Sequence, residues 1–241
     1  MMNMKTFRLF IVLLLSVASL VTPSSGGGIA HAATKEQTPS AKEKQPTLGL
    51  YLSTDLFGYI YPIFAKDAYY SAEVSATMNI NNRFMPVLEV GVGYADMVSQ
   101  LYEIDYRTRA PYYRIGMDYN MQYENGKPNY IYFGGRVGYT AFEYSVDAPS
   151  LIDPVWGDEV PVHFDHMSCS ALWLEAVGGV RAEITKNFHM GWSLRYKYPL
   201  RLAPIVNGGP WYVPGYGASK GAAFGATYSA SYYFNITPKR K

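Results

Sequence analysis

A serine, a histidine that takes its proton and a carboxylate that orients the imidazole form the commonest hydrolytic set. His189, Ser193 and Glu183 are the residues of this chain that come nearest to it. His189 and Ser193 share one face of an alternating segment, four positions apart. That separation is about 13 Å at about 3.3 Å per residue, while a nucleophile and its base must approach to about 3 Å. The two cannot act as a dyad, and Glu183 opposite His189 reads more simply as a salt bridge. Residues 145–168 gather Asp147, Asp153, Asp158, Glu159, His163, Asp165 and His166. Oxygen-rich loops can hold Ca²⁺, but the regular acid spacing of such a loop is missing, and a solvated acidic loop is the simpler reading. Gly134-Gly135 and Gly178-Gly179 lie inside strand-like segments with no helix after them, so they are not phosphate-binding loops. They are expected to mark curvature or a bulge. The single Cys169 excludes an internal disulfide framework and a cysteine-rich zinc site. No catalytic residue, metal site or cofactor is expected.

What must position these residues is a set of alternating segments. From residue 47 onward apolar side chains recur at every second position. Eight stretches do this, at 48–56, 70–80, 88–94, 113–121, 131–140, 172–184, 188–197 and 224–236. Each is near the 9–11 residues that a tilted membrane strand needs (about 30 Å of hydrocarbon). Three connections are short, at 81–83, 125–127 and 185–187. Three-residue loops keep the faces in step and pair Ile80 with Phe84, Glu124 with Pro128 and Ile184 with Phe188. The same registers set Glu183 against His189, Glu175 against Lys197 and Asp118 against Gly134, with Arg136 on the diagonal. The other connections, about 58–67, 96–110, 145–168 and 199–220, are long, and short alternates with long throughout. The expectation is an all-β fold: an eight-stranded antiparallel up-and-down transmembrane β-barrel with short periplasmic turns and longer outside loops.

The faces decide between a soluble and a membrane barrel. In a soluble barrel the polar face meets water; in a membrane barrel it is sealed inside. The polar face here carries many Gly and Ser, few Lys and nearly balanced charge. Arg outnumbers Lys, as confined pairing favours. We therefore expect a filled lumen holding a charge network of Glu73, Glu89, Arg114, Asp118, Arg136, Glu175, Arg181, Glu183, Arg195 and Lys197. On the apolar face, Phe84, Tyr119, Tyr123, Phe188 and Phe234 lie near the short turns. Tyr70, Tyr94, Tyr113, Tyr139 and Tyr196 lie near the long loops. Two such belts mark the two membrane interfaces.

The chain ends fit export. Lys5 and Arg8 precede the apolar run 9–21, which is too short to span as a helix, and Ala30-His31-Ala32 fits a small-residue cleavage pattern. Residues 1–32 are expected to be a signal peptide, 33–46 a disordered periplasmic linker, 47–236 an outer-membrane β-barrel and 237–241 a short basic tail. The 241-residue chain carries a formal charge of +2. Lys5 and Arg8 account for that excess, so the mature chain is neutral and nucleic acid is not an expected partner. Charged residues are 17% and apolar ones 49%, which excludes a disordered chain; 23 Tyr and 22 Gly suit strands and tight turns.

Five stretches, PVLEVGVGYAD (86–96), APYYRIGMDYN (110–120), DPVWGDEVP (153–161), NFHMGWSLRYK (187–197) and PWYVPGYG (210–217), together resemble an uncharacterised outer-membrane barrel family. It is carried as a domain of unknown function in Gram-negative bacteria. In architecture the chain is more distantly similar to the small OmpA and OmpX barrels. The resemblance implies an outer-membrane location and no activity. The last strand departs from the usual terminal aromatic, since ITPKRK (236–241) follows. The expected partners are outer-membrane lipid and lipopolysaccharide, and an extracellular ligand met by loops 145–168 and 199–220. In the second of these, Trp211, Tyr212 and Tyr216 either form an exposed contact surface or fold over the barrel mouth. A structural or interaction barrel is the leading reading. A lipid-modifying or proteolytic membrane enzyme and a narrow channel are the alternatives.

Overall fold

The computed structural model describes residues 47–59, 69–99, 104–125, 128–152, 159–202, 209–218 and 221–237. The segments expected to be a signal peptide and a linker, 1–46, lie outside the described residues, as do 238–241 of the expected basic tail. In chain order the strands are β1 (Leu48–Asp55), β2 (Tyr69–Ile80), β3 (Phe84–Ser99), β4 (Ile104–Asn120), β5 (Tyr130–Ile152), β6 (Glu159–Thr185) and β7 (Phe188–Leu202). Then follow β8 (Tyr212–Val213), β9 (Gly217–Ala218) and β10 (Ala223–Asn235). All strands but β8 and β9 close into an antiparallel ring in the order β1-β10-β7-β6-β5-β4-β3-β2. β8 and β9 form a two-stranded hairpin of their own.

Alternation sets the two surfaces. Ile115, Leu194 and Phe133 on the outside are 64%, 61% and 58% exposed, whereas Glu89 and Arg114 on the inside are 3% and 4% exposed. The ring is thus apolar outside and charged within. Its aromatics gather at two levels. Phe84 meets Tyr119 at 5.6 Å and Tyr119 meets Tyr123 at 6.0 Å, with the Arg83 guanidinium 4.8 to 5.5 Å from all three rings. At the other level Tyr70 stacks on Tyr94 at 4.8 Å, and Tyr196 meets Phe224 at 5.1 Å with the rings tilted. Phe84 and Tyr94 are both on β3. Their separation along the strand is about 33 Å at about 3.3 Å per residue. On a strand tilted by about 40° that gives a band of about 25 Å, the height of the apolar belt of a membrane barrel.

The short turns hold most of the expected registers and revise two turn geometries. Ile80 pairs with Phe84 across 81–83, where Asn81 and Asn82 take positive φ of 55° and 59°. Asp118 pairs with Gly134, but the β4–β5 ladder ends at Asn120 and Tyr132, so this turn is broader than three residues and contains a short 3-10 turn at Tyr123–Asn125. Between β6 and β7, Thr185 pairs with Phe188, and a register shift lies between Glu183 and Thr185. A two-residue turn plus a bulge at Ile184 replaces the expected Ile184–Phe188 pair. Because the extra residue compensates the shorter turn, Glu183 still faces His189 and Glu175 still faces Lys197.

Two of the expected long loops are largely strand. The β3–β4 ladder continues to Ser99 and Ile104, so most of 96–110 is paired. β5 and β6 run for 23 and 27 residues and stay paired to Ile152 and Glu159, with register shifts between Tyr144 and Val146 and between Ala148 and Leu151. Polar composition there reflects a ribbon standing in water rather than the absence of structure. β1 stops at Asp55 and β10 starts at Ala223, so the ring is tall on the β3–β6 side and low on the β10–β1–β2 side.

The paired glycines do not make bulges; the ladder is regular at Gly134, Gly135, Gly178 and Gly179. Inward-facing glycines instead make room for large neighbours. A Cβ on Gly138 would lie 2.2 Å from the Trp173 ring, whereas a Cβ on outward-facing Gly135 would meet nothing nearer than 3.8 Å. Gly138→Ala is therefore expected to lower stability by about 1–3 kcal/mol through overpacking, and Gly135→Ala to leave it nearly unchanged. Urea unfolding midpoints of the two variants check this.

Candidate functional site: the lumen and its mouth

Strand parity delivers one set of ionic side chains to the barrel axis. Glu73 comes from β2, Glu89 from β3, Arg114 and Asp118 from β4, Arg136 from β5, Glu175 from β6, and Arg195 from β7. All are buried. Glu89 is the hub. It accepts from Arg195 Nη1 at 2.6 Å, Arg114 Nη1 at 3.1 Å and Arg136 Nε at 3.1 Å. Arg114 also reaches Glu73 at 2.5 Å, and its Nε lies 2.9 Å from Glu175. Arg136 grips Asp118 with both terminal nitrogens, at 2.7 and 2.9 Å, the bidentate fork that only Arg can supply. Arg195 reaches Glu73 and Glu175 at 3.3 and 3.4 Å.

Burying an ion costs several kcal/mol, and removing one partner of a buried pair leaves that cost uncompensated. Among these residues four carboxylates face three Arg and Lys197, so the set is neutral as a whole. Neutral donors complete it: Tyr112 Oη donates to Glu73 at 2.8 Å and Trp173 Nε1 to Glu175 at 2.7 Å. These two were not among the residues singled out from the sequence. Parity pointed to them, since Tyr112 shares a face with Arg114 and Trp173 with Glu175.

The structure places Arg181 and Glu183 apart from this cluster. Arg181 is buried among tyrosines, with its guanidinium 4.5 Å from the Tyr51 ring and 5.8 Å from those of Tyr130 and Tyr132. It donates to Tyr130 Oη at 3.0 Å. Here π faces and a phenol oxygen take the place of a carboxylate. Glu183 is half-buried on the rim near the β6–β7 turn.

The β8–β9 hairpin folds over the barrel mouth and presents backbone carbonyls to the cations below. Arg114 donates to the Gly215 carbonyl at 2.8 Å, and Lys197 Nζ donates to the Gly215 and Tyr216 carbonyls at 2.8 and 3.1 Å. Tyr106 Oη donates to the Tyr212 carbonyl at 2.8 Å. Gly215 takes φ of +77° directly against the Tyr112 ring, where a Cβ would sit 2.4 Å from it. Tyr212 and Tyr216 are buried, so of the two readings of 199–220 these residues follow the one that closes the mouth. A cavity of about 430 Å³ remains beside the hairpin, with Asp55, Ser71, Glu73, Arg195, Lys197 and Trp211 among its lining.

The exposed ribbon of β5 and β6 carries the histidines of the acidic stretch. His163 touches Asp147 across the ladder and Asp165 on its own strand; His166 Nδ1 lies 3.0 Å from Glu143. The hydrogen bonds to Asp147 and Asp165 hold the His163 imidazole above its ordinary value, and Glu143 does the same for His166. His163 holds the Asp165 carboxyl below the usual range. Both nitrogens of His163 face carboxylates, and Ser145 bonds to Asp165 rather than to an imidazole. This set gives no serine a base.

Residues 4–239 match the model of a family described as "Domain of unknown function (DUF6048)". No curated protein matches the chain in sequence. Among solved structures, Neisserial surface protein A (NspA) is similar at 14% identity and a TM-score of 0.40, over 79% of this chain and 97% of that one. Ail, the attachment invasion locus protein of Yersinia pestis, is similar at 11% identity and a TM-score of 0.39, over 78% and 97%. Ail has also been solved in complex with the heparin analogue sucrose octasulfate; that structure gives 10% identity and a TM-score of 0.38.

Replacing the hub is expected to be costly. Glu89→Gln leaves Arg136 and Arg195 short of charge and should lower unfolding free energy by about 3–5 kcal/mol, read by urea titration. On the ribbon, protonated His163 is the species its carboxylates favour. Their contribution is full below the ordinary imidazole value of 6.5 and disappears as pH rises through the raised one. The Cε1–H resonance of His163 should titrate above pH 6.5 and return toward it in Asp147→Asn/Asp165→Asn.

Proposed function

Because the chain belongs to the DUF6048 family, a domain of unknown function, its role is read from its own geometry, and we propose that it is a small outer-membrane β-barrel acting as a structural or interaction protein. The observation that carries this is the inverted polarity: an apolar wall between two aromatic levels, with paired Arg and Glu inside. In water such a surface drives association; in a bilayer it is the outer face of a barrel, whose closed ladder satisfies every backbone polar group. No helix among the described residues is long and apolar enough to cross a membrane.

Orientation follows from the connections. The short turns face the periplasm, and the tall β3–β6 ribbon stands outside the cell, where lipopolysaccharide and an extracellular ligand meet residues 145–168 and 199–220. β5 and β6 exceed by about ten residues or more what a membrane strand needs, and that surplus is the interaction surface. The filled lumen favours this reading over a channel for ions. The enzyme reading needs a serine, a base and an oxyanion site brought within about 3 Å, and the His163 and His166 surroundings lack that order.

Membrane fractionation with heated and unheated gel samples tests the assignment. The expected result is an outer-membrane band that migrates faster unheated than boiled. A soluble periplasmic band with no such shift contradicts it. Leu194→Arg, a charge on the lipid side, should lower stability in the bilayer by about 2–4 kcal/mol if it lies at mid-depth.

A further inference from the structure

The lumen is not filled evenly around its axis. On the β3–β6 side Met85, Val87, Thr140, Trp173 and Val177 are sealed. On the β10–β1–β2 side, above Tyr51 and Tyr233, many inward residues are small, and Ser71, Ser75, Gly225, Thr227 and Ser229 keep accessible surface although they point into the barrel. That accessible side opens at the top into the 430 Å³ cavity, whose lining includes Ser71, Glu73, Gly225 and Thr227.

One row of this side has a chemical order. Glu89 pairs with Ser75, Ser75 with Ser53, Ser53 with Ser231, and Ser231 with His189. Four adjacent strand pairs therefore line up carboxylate, three hydroxyls and an imidazole, all inward. Cross-strand neighbours have Cβ atoms about 4.5–5.5 Å apart. Hydroxyls so placed can bond directly, as Ser193 and Thr227 do at 2.5 Å between β7 and β10, or through one bridging water where they turn apart. Ser53 Oγ, Ser231 Oγ and His189 Nδ1 are buried and have no hydrogen-bond partner in the protein. Buried polar groups of this kind are satisfied by ordered water.

We infer that this row is a water-bridged hydrogen-bond relay that carries protons between the mouth cavity and the periplasmic end of the barrel. Glu73, two residues from Ser75 on the same face, is its entry from the cavity. His189 is its exit, since its imidazole interacts with the Asn187 carbonyl of the β6–β7 turn. At each step a hydroxyl or water accepts a proton on one lone pair and passes its own proton on, so one enters at the mouth for each that leaves at His189. Larger ions are stopped by the floor, where Tyr51 lies 5.2 Å edge-on from His189 and 4.7 Å from Tyr233. The groups facing His189 are these two tyrosines, Glu183 across the ladder and Arg181.

The relay rests on the membrane reading above, and one experiment separates the two. The full chain is refolded into phosphatidylcholine vesicles containing a pH-sensitive dye, and flotation and heat-dependent migration are read on the same vesicles. After a pH jump, wild-type vesicles should equilibrate faster than protein-free ones while K⁺ and Cl⁻ conductance stays at background. Ser53→Val/Ser231→Val should slow equilibration by about fivefold or more, the factor that one lost hydrogen bond gives. Ser53→Thr/Ser231→Thr, equal in volume but keeping the hydroxyls, should restore it. An inserted, folded wild type no faster than empty vesicles overturns the relay alone, as do valine and threonine variants with equal rates. If the valine variant does not fold, Ser231→Thr against Ser231→Ala makes the comparison at one site. Failure of the wild type to float overturns the membrane reading and the relay with it.

Discussion

A guanidinium cannot discard its charge when it is buried. Arg114, Arg136 and Arg195 are each nearly sealed from solvent, so carboxylates must meet them within ion-pair distance or the barrel interior is untenable. Glu89 satisfies this for all three at once. Much else follows from that demand. The strands that carry the pairs must hold register, the glycines opposite must stay small, and the hairpin above must present carbonyls rather than side chains to Arg114 and Lys197.

Much of this is legible in the sequence. Period-two alternation assigns each residue a face whatever its neighbours do, so Glu89, Arg114 and Glu175 could be placed together from parity alone. Hairpin arithmetic found the Asp118–Gly134 and Glu183–His189 pairs because it depends only on parity across a turn, and the bulge at Ile184 compensated the error in that turn's length. Other features left no local trace. Residues 96–99, 104–110, 145–152 and 159–168 are rich in polar side chains, and polarity hides a ladder whose partners are set by the strands below. Arg181 carries no hint that its partners are three rings, since Tyr130 and Tyr132 reach it only through the β5–β6 ladder and Tyr51, on β1, only when the ring closes. The β8–β9 hairpin has two-residue strands, too short for any periodic signal.

The fold also divides labour around its circumference. Bulky residues such as Trp173 and Met85 fill one side, and serines and glycines line the other. The same division appears in height, with β3–β6 rising past the aromatic level and β1 and β10 ending near it. A ring with one tall, dense half and one low, hydroxyl-lined half has a fixed azimuth as well as a fixed depth. In the bilayer proposed above the aromatic levels set the depth, with Arg83 among Phe84, Tyr119 and Tyr123 at the turn end.

The ionic hub also constrains how the molecule can assemble. Glu89 and Arg195 are 106 residues apart in the chain, and Glu73 and Arg195 are 122 apart. Their contact waits until nearly the whole sheet has curled round, and such distant closures are slow. In the bilayer proposed above, a half-curled sheet would expose bare guanidinium groups to hydrocarbon, a costly state. On that reading insertion and ring closure are coupled, because the charges that steady the finished barrel penalise a half-closed one.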